Sequence, residues 1–335
     1  MTTIQLASDA TAAPPGLRTH LSAPRTRCAV AIQQAILQAA RELLVGEGFT
    51  ELLAPVIGPV TDPGARGSKQ VDIDYYGHRY KLMTSAILYK QASLLSFGRI
   101  FYIAPNVRLE PLETANTDRH LTEFHQIDVE IADASRDEAM AVMQAVVTHA
   151  VRRVLDHTAD HLDQLGRDRS ALTELLDGPF ERISHSAAVR RLHDLGHPQD
   201  PAAEIDWAGE RLLSAGARRP FFITDYPKGS RGFYDRESTT EPGSLRNFDL
   251  IAAEGYGELS SGSEREFEYR RLVARMRETG ENPAKYGWYL DLVRDGIPAS
   301  SGFGIGVQRL TRYFAGLDAV WQASMFPKLP GVVSA

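Results

Sequence analysis

Apolar positions change period along the chain, and the changes mark its elements. Val30, Ile32, Ile36, Leu37, Leu43 and Leu44 recur at helical spacing, which predicts a helix over 30–44 ended by Gly46 and Gly48. The next stretch, FTELLAPVI, reads as a strand whose Pro55 suits a sheet edge or an interface. HRYKLM, RIFYIAPNVRLE and EFHQIDVEIA read as further strands. In the last, Ile127, Val129 and Ile131 share one face, while Phe124, Gln126, Asp128 and Glu130 share the other. One face packs, and the other is polar enough to carry a site. Residues 135–217 are mostly helical in pattern, with breaks at Gly178-Pro179 and Gly196–Pro198. Strand signals return in PFFITDY, LRNFDLIAA and GELSSGSER. A helix at about 264–278, the stretch YGWYLDLVRDG, a glycine run and a last helix from about 306 follow. Strands adjacent in sequence, with helices before and between them, predict an α+β fold with a mostly antiparallel sheet flanked by helices.

Composition narrows the class. The 335 residues carry a net charge of -6, which argues against broad nucleic-acid binding. Cys28 is the one cysteine, so neither an internal disulfide nor a thiolate metal cage is available. The opening MTTIQLASDATAAPPG lacks the basic-then-apolar order of a secretory signal, and residues 1–22 read as a flexible segment. No apolar run reaches about 18 residues, so no membrane span is expected and a cytoplasmic location is the default.

The candidate chemistry starts with SSGFGIGVQRL at 300–310. Gly302, Gly304 and Gly306 alternate, but the dinucleotide-binding order G-x-G-x-x-G fails because Val307 stands where the third glycine should be. The Gly-Lys-Ser/Thr ending of a phosphate loop is absent too. Two readings remain: a turn between strand and helix, or a helix start at Gly306 whose first-turn Arg309 holds a phosphate. In APNVRLEP, Arg108 and Glu110 are two apart in a strand and face one way, and an arginine fork can grip a phosphate bidentately. In TDRHLTEFHQIDVE, Arg119 and His120 precede Phe124, whose ring could stack on a purine. Each alone reads as a surface ion pair or a core aromatic; the ordered set does not.

That set resembles the catalytic core of class II aminoacyl-tRNA synthetases of the aspartyl/asparaginyl group, over about residues 28–330. GFTELLAPV is similar to the first motif of that class, VRLE…RHLTEFHQIDVE to the second and GFGIGVQRL to the third. The resemblance implies an antiparallel sheet, a homodimer formed through the first motif, and ATP with Mg2+ as cofactors. It implies that Arg108 binds the α-phosphate and the carboxylate being activated, with Arg309 as its catalytic partner. Glu110, Arg119, His120, Glu123, Phe124, Gly304, Gly306 and Arg309 would complete the ATP site, with Phe124 stacked on adenine and Glu123 at its edge. Asp249 and Glu258 would hold magnesium. Lys90, in LYKQ, and Arg265 would clamp a substrate carboxylate, with Ser85 and Gln126 beside them. Glu258 and Arg265 are seven apart, so a regular strand would point them to opposite faces; a bulge or turn near Gly262 is required.

Three departures from the family pattern bear on the substrate. Thr84 and Ile87 replace two glutamines, and an upstream acid falls at Pro63; those positions contact a substrate α-ammonium in the family. Ser300 replaces a histidine, and Gln308 replaces an acid. The catalytic domain is expected over 23–335 with a helical insertion at about 135–217, and no anticodon-binding barrel is expected. These features resemble the archaeal-type asparagine synthetases related to asparaginyl-tRNA synthetase. The expected reaction is activation of the β-carboxylate of L-aspartate by ATP for attack by ammonia or another amine, with AMP released and tRNA not expected as a partner. The alternatives are a ligase joining aspartate to another amine or carrier, and a truncated aspartyl/asparaginyl-tRNA synthetase. The pairs His157/His161 and His193/His197 read as exposed helix faces rather than metal sites.

Overall fold

The computed structural model describes residues 14–63 and 67–333. Its strands, in chain order, are β1 (Thr50–Glu51), β2 (Ile57–Gly58), β3 (Asp72–Tyr75), β4 (His78–Leu82), β5 (Arg99–Val107), β6 (Glu123–Ala132), β7 (Glu181–Ser184), β8 (Phe221–Thr224), β9 (Asn247–Ala252), β10 (Gly257–Glu264) and β11 (Ser300–Gly306). Eight form one sheet in the order β1-β5-β6-β11-β10-β9-β8-β7, and β2-β4-β3 form a small second sheet. Only the outermost pairs of the large sheet, β1 with β5 and β7 with β8, are parallel. The expected α+β architecture with an antiparallel-dominated sheet is the observed one.

The alternation of β6 decides which face packs. Ile127, Val129 and Ile131 are buried in the main core with Phe303 and Ile305 of β11. Against them lie the helices Pro24–Gly46, Arg136–His157 and Val307–Ala315, which contribute Ile36, Met143, Val147 and Phe314. Each such side chain, fully buried, contributes about 1.5–3 kcal/mol. Helix Arg136–His157 starts where Ser135 and Glu138 form a reciprocal capping box. The opposite face of the sheet is flanked by a second apolar cluster, built from Ile87 and Leu88 with Leu272, Met276, Tyr289 and Leu290 of the helices Tyr269–Glu278 and Gly287–Asp295.

Several expectations need correction. Residues 1–13 of the segment read as flexible lie outside the described residues, while Leu17–Ser22 is a helix whose buried His20 bonds the Ser324 carbonyl at 2.8 Å. FTELLAPVI is not one strand: Pro55 separates β1 from β2, which belong to different sheets. The helical stretch 135–217 contains the edge strand β7, and the helix expected from 264 starts at Tyr269, because β10 continues to Glu264. By length and composition, one described helix, Pro24–Gly46, could cross a membrane, contrary to the sequence reading. Its residues Ala29, Ile32, Ile36, Ala40 and Leu44 are instead buried in the main core.

Candidate active site

The alternating glycines form part of a strand, and their partners explain them. Across the antiparallel register Gly302, Gly304 and Gly306 of β11 lie opposite Glu130, Asp128 and Gln126 of β6. A Cβ at 304 would stand 2.6 Å from Asp128 Oδ1 and 2.7 Å from Gln126 Nε2; one at 302 would run into the Glu130 carboxylate, 2.6 Å from its Cδ. Bare backbone on β11 is therefore what lets the polar side chains of β6 lie flat across the sheet. Gly306 then caps helix Val307–Ala315, with no comparably close neighbour.

Two cavities open above this floor. The larger, about 800 Å³, is lined by Lys90, Arg108, Gln126 and Arg265, and by Ser85 at its side. The smaller, about 120 Å³, gathers Arg108, Glu110, Arg119, His120, Phe124, Glu258, Gly304, Gly306 and Arg309. Arg108, Gln126, Ser261 and Gly304 line both, so the cavities meet at Arg108. Glu258 and Arg265 reach the same side of the sheet because β10 bulges, as required, although the irregularity falls between Glu258 and Ser260 rather than at Gly262.

In the smaller cavity the Arg108 guanidinium lies 5.1 Å from the Phe124 ring centroid, and its Nε donates to the Thr84 carbonyl at 2.9 Å. Arg108 and Glu110 lie just past the end of β5 rather than within a strand. Arg309 Nη1 stands 3.5 Å from Glu258 Oε2. Arg119 is buried and its Nη1 donates to buried Glu210 at 2.6 Å, so much of its charge is already spent. Glu123 is corrected: it is exposed and lines neither cavity, because on β6 it alternates with Phe124. Asp249 also lines neither. It is buried beneath Arg231, whose Nη2 donates to its Oδ2 at 2.5 Å. Burial, countered by Arg231 and reinforced by the Glu258 charge, pushes its carboxyl up to about 6. Asp249 Oδ1 is buried without a hydrogen-bond partner, and Ser261, directly opposite Asp249 in the sheet, bonds Glu258 Oε1 at 3.2 Å. Glu258 is itself engaged, by Ser261 at Oε1 and by Arg309 and Arg119 at Oε2, so of the two acids it is Asp249 whose Oδ1 lacks a hydrogen-bond partner. Among the described residues no group of three or more His, Cys, Asp or Glu is placed to hold a metal. The histidine pair His193 and His197 bonds Gln199 and Asp206.

The larger cavity differs most from expectation. Lys90 is 2% exposed, and its ammonium donates to Asp128 Oδ1 at 3.0 Å and the Phe303 carbonyl at 3.1 Å, with Glu130 Oε2 at 3.6 Å. An ammonium has three donors, and all three point at protein. Arg265 grips Glu130 with its fork, Nε to Oε1 at 3.0 Å and Nη2 to Oε2 at 3.2 Å, and its Nη1 donates to Ser263 at 2.8 Å. Asp235 stands 3.6 Å from the same Nη1; burial raises its pKa, against the pull of Arg265. The expected open cationic clamp is thus a paired network, because Asp128, Glu130 and Asp235 share its space. What it leaves over is an acceptor: Asp128 Oδ2 is buried without a partner. The cavity lining as a whole balances six cationic and six anionic side chains.

The departures have local explanations. Ser300 Oγ donates to Glu130 Oε1 at 2.9 Å, and Gln308 Oε1 accepts from the His125 amide at 2.9 Å, tying the last helix to β6. Buried Thr84 bonds Thr61, and Ile87 joins the apolar cluster. The acid sought at Pro63 is one residue earlier: Asp62 lines the larger cavity and accepts from Tyr234 Oη at 3.2 Å. The sequence reading missed Asp62, Arg231 and Asp235 as site residues; the last two sit in a loop with no periodic signal. Asp128 and Glu130 were on the correct face, and the glycines opposite them were the unused clue.

A family model described as tRNA synthetases class II (D, K and N) matches residues 18–330. The asparagine–tRNA ligase of Pyrococcus abyssi is 33% identical over 311 residues, 93% of this chain and 70% of the relative. That of Lactobacillus delbrueckii subsp. bulgaricus is 34% identical over 298 residues, 89% of this chain and 68% of the relative. The crystal structure of asparaginyl-tRNA synthetase from Pyrococcus horikoshii, complexed with asparaginyl-adenylate, superposes with a TM-score of 0.90 at 31% identity, covering 95% of this chain and 72% of that one. The expectation that tRNA is not a partner is overturned by these relatives, which are tRNA ligases, and the asparagine-synthetase assignment finds no counterpart among them. The chain belongs to the class II tRNA synthetases of the D, K and N group.

Proposed function

We propose that this chain is an ATP-dependent, AMP-forming ligase that activates asparagine, in preference to aspartate, as an acyl-adenylate and transfers it to tRNA. The observation that carries the reading is the meeting of the two cavities at Arg108. A carboxylate in the larger cavity and the α-phosphate of a nucleotide in the smaller one would both be within reach of that guanidinium. Negative charge develops there as the carboxylate attacks, and a fixed cation stabilises it. Phe124 would take the adenine face, and His120 and Arg309 the outer phosphates near the start of helix Val307–Ala315. Asp249 and Glu258 would hold a magnesium ion, which when bound offsets phosphate charge. Asp62 and Asp235 supply the acids that a substrate α-ammonium needs.

Two features support the amide over the acid. The donors of Lys90 and the fork of Arg265 are engaged, and the unpartnered oxygen, Asp128 Oδ2, is an acceptor suited to a carboxamide N–H. Synthesis of free asparagine would need that clamp open for a second substrate carboxylate. A homodimer is part of the proposal: Leu53 is 96% exposed beside Pro55, with half-exposed Val56, and a second copy would cover them. The reading implies a cytoplasmic enzyme.

The test is amino-acid-dependent ATP–pyrophosphate exchange with asparagine and with aspartate, followed by charging of tRNA. Faster exchange with asparagine, AMP as product and an aminoacylated RNA are expected. ADP as product, or free asparagine made from aspartate and ammonium without RNA charging, would overturn the proposal.

A further inference from the structure

A third cavity, about 520 Å³, opens on the small sheet and has a size typical of ligand sites. It shares Pro63 and Glu281 with the larger cavity, so the two adjoin. Its lining is one-sided in charge: Lys69, Arg79, Lys81 and Lys285 against the single acid Glu281. Part of that charge is spent, because Arg79 and Lys81 both pair with Asp72 across the β3–β4 hairpin. Glu281 is engaged as well, accepting from Tyr286 Oη at 2.8 Å. Lys69, in an isolated bridge, and Lys285, in the short helix Pro283–Tyr286, are exposed and have no acid partner among the described residues. Nothing in the adenylate chemistry above uses either of them.

The position of Lys69 ties this cavity to the reaction centre. Its backbone pairs with Leu109, N to O at 2.9 Å and O to N at 3.1 Å, and Leu109 is the residue after Arg108. A strand lying along Lys69 therefore runs beside the segment that presents Arg108. The balanced larger cavity suits a zwitterion, whereas unpaired ammonium groups beside it suit a chain of phosphates. No exposed aromatic ring lines the cavity, so it offers charge rather than a stacking platform.

We propose that this cavity binds the phosphodiester backbone of the single-stranded acceptor end of the RNA and directs that end to Arg108. The proposal rests on the RNA-ligase reading. Lys69 and Lys285 make the phosphate contacts, and Arg79 joins them when Asp72 is shared. The site acts on the second half of the reaction and leaves adenylate formation untouched.

The experiment compares the wild-type chain with Lys69→Glu/Lys285→Glu. It measures the affinity for tRNA at several salt concentrations, alongside asparagine-dependent ATP–pyrophosphate exchange. Loss of about tenfold or more in tRNA affinity is expected, with the slope of log K against log salt falling by about 0.7 per contact and exchange unchanged. Lys69→Arg/Lys285→Arg should retain binding. Unchanged tRNA affinity in the charge-reversed protein, with exchange intact, overturns the proposal and leaves the ligase reading standing. A wild-type chain that performs exchange but binds no tRNA overturns both. Loss of exchange in the charge-reversed protein alone also overturns it, since the two lysines would then serve the fold or the adenylate step.

Discussion

The two cavities that meet at Arg108 hold their charges differently. In the smaller one, Arg108 and Arg309 donate to backbone carbonyls at 2.9 and 3.3 Å, and Arg309 also stands 3.5 Å from partly exposed Glu258. In the larger one, Lys90 and Arg265 are buried against Asp128 and Glu130, with every Lys90 donor used. A site for a polyanion must keep positive charge in reserve. A site for a zwitterion instead has to neutralise its own buried charges first, because an unpaired ion in a dry interior costs several kcal/mol. On the proposed reading, lysine and arginine would therefore act as ligand-binding groups on one side of Arg108 and as structural groups on the other.

The sharpest way to break this contrast is Lys90→Ala. If Lys90 is structural, buried Asp128 loses its counter-ion while Glu130 keeps Arg265, and the urea midpoint should fall by the equivalent of about 3–5 kcal/mol. An unchanged midpoint with lost amino-acid binding would make it a substrate clamp after all. Arg108→Ala tests the other side. Stability should hold, while the exchange rate drops about a hundredfold or more, of order 3 kcal/mol, because the cation acts on developing charge. A loss confined to KM would place Arg108 in ground-state binding only.

Gly302→Ala probes the shared floor. A methyl group there meets the Glu130 carboxylate and the Val129 carbonyl of the neighbouring strand, so a loss of about 1–3 kcal/mol in thermal unfolding is expected. A neutral result would mean that Glu130 can lift off the sheet and that the Arg265 network is looser than described. The smallest effect belongs to Phe124→Ala, which removes the stacking face. It should raise the KM for ATP by roughly tenfold, within the ~1–3 kcal/mol of base stacking, and leave the preference for asparagine over aspartate unchanged. A changed amino-acid preference would mean that the cavities do not act independently.

The smaller cavity was legible in the sequence to the extent that its residues come from contiguous motifs. Arg108, Glu110, Arg119, His120 and Phe124 fall within 17 residues, and the hairpin-like pairing of β5 and β6 brings them together. Glu123 shows the limit of such reading: a motif can place a residue in the right strand and leave its side chain on the wrong face. The larger cavity was legible only as a set of cations. Lys90 and Asp128 are 38 residues apart, and Arg265 and Glu130 are 135 apart, so no local spacing announces either pair. The edge strand β7 escaped notice because four residues between helical segments carry too short a period to stand out.

What the sequence determined by itself was the alternation of β6 and the three glycines of β11, since period-2 geometry and the absence of Cβ atoms are properties of single strands. The bulge in β10 was likewise demanded by the seven-residue gap between Glu258 and Arg265, though its position at Leu259 depended on the pairing with β9. Tertiary structure alone decided which charges remain free. Whether Lys90 meets a substrate or Asp128, and whether Lys69 lies beside Arg108 or far from it, depends on strands brought together across the chain. The energy of a charge depends on its neighbours and its burial, and neither is a property of the residue that carries it.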